Sequence, residues 1–203
     1  MPRSKQVSEQ MRARSRASIL KAARRLFADQ GYFSSKVADI AKLAEMSQGN
    51  VYWYFESKQA VLKAVLAEGF ESLERMTGQV AESQGSGSEK LEALVMRTMR
   101  LYDEQGDFNR ILMSLMAHGG TAFLGELGFD MTEIGMRYHA NLIRVFAQAR
   151  AEGVVLDIEP NLLVMLYFGL FNGLMVTYAE DWGLLPPVVL RQAALRMLGA
   201  GEV

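Results

Sequence analysis

Apolar residues recur at helical spacing along nearly the whole chain, and no stretch alternates with period two. Ile19, Leu20, Ala23, Leu26 and Phe27 make one face of a first helix. Lys21, Arg24 and Arg25 fall outside that face, and Gly31 follows as a stop. A short second helix is predicted over Val37 to Ala44, and a third over the aromatic stretch Met46 to Phe55. The fourth begins after Ser57 and carries Val61, Leu62, Val65, Leu66, Phe70, Leu73 and Met76 as one stripe. It ends before Ser83-Gln84-Gly85-Ser86-Gly87-Ser88, the only linker-like segment. Further helices are predicted near 89–104, 108–117, 131–152, 160–181 and 187–198. Asp130 and Glu133 have capping-box spacing, Pro160 and Pro186-Pro187 suit first turns, and Gly199 closes the last helix. Segment 119–129, with Gly119, Gly120, Gly125 and Gly128, receives no element. The predicted fold class is all-α.

Composition adds a charge asymmetry that the net value of -1 conceals. Residues 1–63 hold twelve Lys and Arg against five Asp and Glu, an excess of +7; the remainder holds ten against eighteen, or -8. The split suggests a polyanion-binding head on an acidic body, with a merely solvated basic face as the alternative. With half of its 203 residues hydrophobic, the chain can bury a substantial core. The absence of cysteine excludes disulfides, thiolate metal sites and cysteine nucleophiles, and is compatible with a reducing cytoplasm. His118 and His139 have no second ligand at metal spacing, and no nucleophile, phosphate-loop or zinc motif occurs, so neither a metal nor a catalytic site is predicted. The N-terminus lacks an apolar signal-peptide core. The most apolar run, Leu162 to Tyr178, is interrupted by Asn172 and falls short of a comfortable membrane span, so a helix buried on two sides is expected.

The densest chemistry lies in Met46 to Phe55. Ser47 can cap a helix start, which places Gln48 and Asn50 on its first turn. Gln and Asn each offer a donor and an acceptor, the pattern that pairs bidentately with adenine in the major groove. The segment therefore reads as the second helix of a helix-turn-helix, or as a short aromatic helix plugging a core. Phe55 is expected in the core, and Tyr52 either there or on a phosphate. Lys58 at a helix start is unfavourable unless an anion is near, which suggests a phosphate contact. Arg3, Lys5, Arg12, Arg14 and Arg16 form a basic arm that tracks a groove or serves as a disordered solubilising tail.

Residues 15–66 resemble the N-terminal domain of TetR/AcrR-type transcriptional regulators. The matching features are Ile19, Ala22, Ala23, Leu26 and Phe27; Gly31-Tyr32; Asp39-Ile40-Ala41; Ala44; Ser47 and Gly49; Tyr52 and Phe55; Ser57-Lys58; and Val61-Leu62. They cover about a quarter of the chain in a dense order. The resemblance implies a three-helix DNA-binding head at 1–56 and a helical ligand-binding and dimerisation domain at 57–203, connected by helix 57–82. It implies a cytoplasmic homodimer on palindromic double-stranded DNA, and repression released by a small molecule. No cofactor is implied. By position, Gln48, Gly49 and Asn50 become base readers. Tyr52, Tyr54 and Lys58 become phosphate contacts, with Ser35 and Lys36 at the start of the second helix and Ser47 capping the third. Trp53 would touch sugars or thymine methyls. Three departures stand out. Glu45 replaces a frequent turn glycine, which places a non-glycine residue at positive φ. Tyr54 replaces a frequent histidine. Lys36 stands where threonine is common, so the capping role would pass to Ser35.

In the body, thirteen methionines in the chain, among them Met96, Met99, Met113, Met116, Met165 and Met175, suit either core filling or an adaptable apolar pocket for a small hydrophobic effector. Phe70, Met113, Tyr138, Phe168, Asn172 and Met175 are its candidate lining. Gly169 and Gly173 share a helix face and suit a dimer seam or local packing. A DNA-binding regulator without small-molecule input, and more remotely a helical enzyme, remain alternatives.

Overall fold

The computed structural model describes residues 2–178 and 184–201, with side chains from residue 7 onward. Among the described residues there are eight helices and no strand: α1 (Pro2–Gln30), α2 (Val37–Leu43), α3 (Gln48–Tyr54), α4 (Lys58–Glu82), α5 (Gly87–Glu126), α6 (Met131–Ala151), α7 (Pro160–Tyr178) and α8 (Pro187–Met197). The chain packs as two compact units. The first gathers the chain up to Gly69 with Ile111–Gly128; the second gathers Phe70–Arg110 with the chain from Phe129 onward.

The first unit is built on the stripe of α1. Ile19, Leu20, Ala23, Leu26 and Phe27 are buried with Ile40 and Ala41 of α2, Val51 of α3, and Val61, Leu62, Val65 and Leu66 of α4. The α5 segment adds Ile111, Leu115 and Leu124. Gly31 at φ +80 ends α1, its N–H donating to Phe27 O. Between α2 and α3, Glu45 sits at φ 55, the only non-glycine positive φ among the described residues. That is the strained turn expected from the missing glycine.

α1 begins at Pro2, so the basic arm is helical rather than a disordered tail. It continues the helix. Residues 3–30 contain no Gly or Pro, which is why nothing stops it.

α5 is a single 40-residue helix where two were expected near 89–104 and 108–117. The expected break falls around Gly106. One glycine costs a helix only about 1 kcal/mol, and the buried pattern runs through it unbroken. Leu91, Leu94, Val95, Thr98 and Tyr102 are buried before it, and Phe108, Ile111 and Leu115 after it. The glycine-rich segment 119–129 is the end of this helix, with Gly120 at φ +60 inside it and a turn closed by Gly128 at φ +81.

The second unit has its own core, with Leu91, Leu94, Leu142, Phe146, Leu163, Tyr167, Phe171 and Leu195 among its buried residues. Asp130 caps α6 by accepting from the N–H groups of Thr132 and Glu133 at 2.9 and 3.0 Å. The last residues expected in α7, 179–181, lie outside the described ones.

α7 is long and apolar enough to cross a membrane by length and composition, with a mean hydropathy of 1.4, and 28% of it is buried within this chain. Its own subunit covers one of the two sides expected to be buried. Leu163, Val164, Tyr167, Phe171 and Met175 face the core, while Leu162, Met165, Leu166, Gly169, Gly173 and Val176 are exposed along the opposite stripe.

Candidate nucleic-acid interface

The site is α3 and the helix starts around it. A seven-residue helix does not persist alone in water, so α3 is held by what it buries. Val51 is fully buried and Phe55, its C-cap, is nearly so. Ser47 accepts from the N–H of Asn50 at 3.1 Å and fixes the first turn. With 51 and 55 inward, Ser47, Gln48, Gly49 and Asn50 are exposed together. Tyr52 and Trp53 follow at 47% and 62% exposure. Tyr52 is therefore not a core residue. Trp53 lies edge-on to the half-buried Tyr54 with ring centroids 4.6 Å apart. An added Cβ at Gly49 would meet only Ser47 Oγ, at 3.9 Å, so Gly49 leaves this surface low. The result is a solvent-facing patch of amides, hydroxyls and aromatic faces, the chemistry that reads base edges and backbone.

The start of α2 lies differently from expectation. Ser35 is buried and its hydroxyl donates to Gly31 O at 2.7 Å. It does not cap α2. That role falls to Asp39, whose carboxylate accepts from the Lys36 N–H at 3.2 Å. The side chain of Lys36 is exposed.

Lys58 has an internal set of partners. Its Nζ donates to Tyr32 O at 2.7 Å, Ser35 O at 2.8 Å and Phe33 O at 3.4 Å, and lies 4.3 Å from the centroid of the Tyr32 ring. Three N–H donors meet three carbonyls of the α1–α2 turn. Within the chain, the turn itself satisfies this lysine. Tyr32 extends the cluster, with its ring edge-on to Phe27 and Phe33 and 5.9 Å from Phe123. A lysine paired with distant backbone has no local sequence pattern, and its position at a helix start pointed equally to an external anion.

Two arginines of α1 also reach the site. The Arg12 guanidinium carbon lies 5.2 Å from the Trp53 ring centroid, and that of Arg16 lies 5.4 Å from the Phe55 ring. Sequence reasoning grouped both in a tail. The signal available was the unbroken run of helix formers before Ser18.

The exposed amide-bearing helix, held across a buried core shared with α1 and α2, defines a helix-turn-helix DNA-binding protein. Residues 19–65 match the model of bacterial regulatory proteins of the tetR family. The HTH-type transcriptional regulator TtgR of Pseudomonas putida is 32% identical over 187 residues, covering 86% of this chain and 82% of TtgR. The fatty acid metabolism regulator protein of Bacillus subtilis (strain 168) is 25% identical over 185 residues, 90% of this chain and 93% of that protein. The crystal structure of the transcriptional regulator FadR from Bacillus subtilis, in complex with stearoyl-CoA, shares the fold with a TM-score of 0.71 at 21% identity, covering 92% of this chain and 99% of that one. The chain belongs to the tetR family and is a DNA-binding transcriptional regulator.

If Lys58 holds the turn, Lys58→Met should cost roughly 1–2 kcal/mol of folding stability in urea melts, the scale of hydrogen bonds to a charged donor. The salt dependence of DNA binding should stay unchanged. A fall of about one unit in the log–log salt slope, with stability intact, would restore Lys58 as a phosphate contact.

Proposed function

We propose that this regulator is a homodimeric repressor acting in the cytoplasm on a palindromic operator, and that a small hydrophobic effector releases it. It acts by binding rather than catalysis. The observation that carries the DNA reading is the joint exposure of Gln48, Gly49 and Asn50 above buried Val51 and Phe55. Gln48 and Asn50 read base edges. Tyr52, Tyr54 and Lys36 hold phosphates, and Trp53 touches sugar or thymine methyl groups.

The dimer reading is supported by the bare stripe on α7. Met165 and Val176 are 66% and 65% exposed, and Val188, Val189 and Met197 of α8 are exposed as well. A Cβ added at Gly169 or Gly173 meets nothing within 4 Å of its own chain. This favours a partner's close approach over local packing, and a second copy would cover this apolar face in place of lipid.

Effector binding belongs to the second unit. Its core holds a polar chain amid apolar side chains: Thr98 Oγ1 bonds Tyr167 OH, Tyr167 bonds Tyr138, and Tyr102 OH donates to Asn172 Oδ1 at 3.4 Å. Burial pushes the Tyr102 phenol up to about 12 and raises those of Tyr138 and Tyr167 as well, so all three remain protonated donors. Phe168 packs on Tyr138 at 5.2 Å. Phe70 is sandwiched edge-on between Phe108 and Phe129, and Met175 is buried in the core of the second unit. Two clefts described in the second unit have other linings. One, of ≈ 380 Å³, is lined by Met96, Met99, Arg100, Asp103, Leu185, Pro187 and Leu190. The other, of ≈ 600 Å³, is polar and includes Glu71, Glu74 and Asn141. The apolar nature of the effector is supported by the stearoyl-CoA bound to the structurally similar FadR.

Genomic fragment selection with purified protein should return a palindrome, bound with an affinity that falls steeply with salt. Equal affinity for every sequence would defeat the reading. On that operator Gln48→Ala should weaken specific binding by roughly 1–3 kcal/mol and relax the preference at one base position; an unchanged selection profile removes Gln48 from the base readers.

Gly173→Leu isolates the seam, because the side chain has room within its own subunit. Overpacking against a partner costs about 1–3 kcal/mol. Light scattering at micromolar concentration should therefore show dissociation or misassembly while the helical content holds. An intact dimer of normal stability would place the seam elsewhere.

Apolar compounds that raise the thermal stability should release operator DNA in the same rank order, since linkage makes the two effects reciprocal. If no compound moves both observables, the regulator works without small-molecule input.

A further inference from the structure

The segment Val7 to Arg14 of α1 stands outside the core of its unit. Every side chain from Val7 to Arg14 is exposed, including the apolar Val7 and Met11, and burial in α1 begins only at Ile19. A helical segment without packing is marginal in water. Its charge is also one-sided, with five basic residues against Glu9 among residues 3–16. Positive charge at a helix start opposes the helix dipole. Both features are relieved by a polyanion lying along the segment.

The structure places this segment beside the base-reading helix. Arg12 stacks on Trp53 at 5.2 Å, and one turn later Arg16 lies over Phe55 at 5.4 Å. The two arginines differ in what else they meet. Arg16 lies 3.6 Å from the Glu68 carboxylate, which neutralises it within the unit. Among the described residues Arg12 has no such carboxylate partner, and it rests on an aromatic face that is itself exposed. A guanidinium lying on a ring keeps its N–H edges available, and their fork matches a phosphate. The stack also restricts the side chain before DNA arrives, which reduces the entropy lost on contact.

We propose that the free start of α1 is a second DNA-contacting element, in which Arg12, stacked on Trp53, holds a backbone phosphate of the duplex flanking the base pairs read by α3. This rests on the reading of α3 as the recognition helix and extends the interface beyond the helix-turn-helix. Arg12 sets affinity and position on the duplex and carries no base preference.

The test uses the full chain on the selected operator and on a scrambled duplex across a salt series, with hydroxyl-radical footprinting. Arg12→Ala should reduce the log–log salt slope by about 0.9, weaken both duplexes by the same factor, and lose backbone protection at one edge of each half-site. Arg12→Lys should keep the slope, since it keeps the charge. Thermal unfolding of both variants should match the parent, because the residue is exposed. A slope and footprint unchanged by Arg12→Ala, with Gln48→Ala still relaxing base preference, would show α1 to be a solvated helix while leaving the α3 reading intact. Failure of the parent protein to bind any duplex at low salt would end both.

Discussion

The exposed face of α3 depends on two side chains beneath a helix of seven residues. α3 makes too few internal hydrogen bonds to persist alone. Burying Val51 and Phe55 supplies roughly 1.5–3 kcal/mol each, and the Ser47 cap adds about 1 kcal/mol. These contributions fix the rotation of the helix about its axis. Once 51 and 55 point inward, positions 48–50 and 52–53 have nowhere to go but outward. The functional surface is the complement of the buried one, and its polarity follows from the need to leave it solvated between encounters with DNA.

Most of the helices were legible in the sequence because their signals are local. The Ser47 cap, the stripe of α4, the Asp130 cap and the Gly199 stop each act over one turn. Glu45 was legible as strain for the same reason, since a tight turn between two short helices leaves few φ values. What escaped was non-local. Lys58 closes on carbonyls more than twenty residues earlier in the chain, and no spacing rule encodes such a pair. Gly106 misled in the opposite direction. A helix former and a helix breaker compete on the scale of about 1 kcal/mol, whereas continuous burial of the residues around it is worth several times that. A candidate pocket is not legible in the same way: which apolar side chains line a cavity and which fill a core depends on shape, and composition does not specify it.

α7 shows how one segment can satisfy two demands. Its inner face packs with large residues, Tyr167 and Phe171 among them, while its outer face alternates Leu, Met and Val with glycine. Contiguous exposed apolar surface is uncommon on a monomer and marks an interaction site. The glycines refine that inference. They lower the ridge of the helix at two successive turns, which favours another helix over a flat lipid surface as the occupant.

The charge of the first unit is a poor guide to the number of phosphates it grips. Arg16 and Arg24 converge on Glu68, with Arg24 at 2.9 Å. Arg25 lies 3.7 Å from Asp29, and Lys58 is held by carbonyls. Such cations contribute to the long-range field that steers association. Few of their counterions are released on contact, because protein groups already occupy the coordination that a phosphate would take. The salt slope should therefore report the small set of cations left facing outward beside α3, such as Arg12 and Lys36, rather than the formal excess of +7. Charge at this distance draws the protein to DNA, and the geometry around α3 decides how firmly it stays.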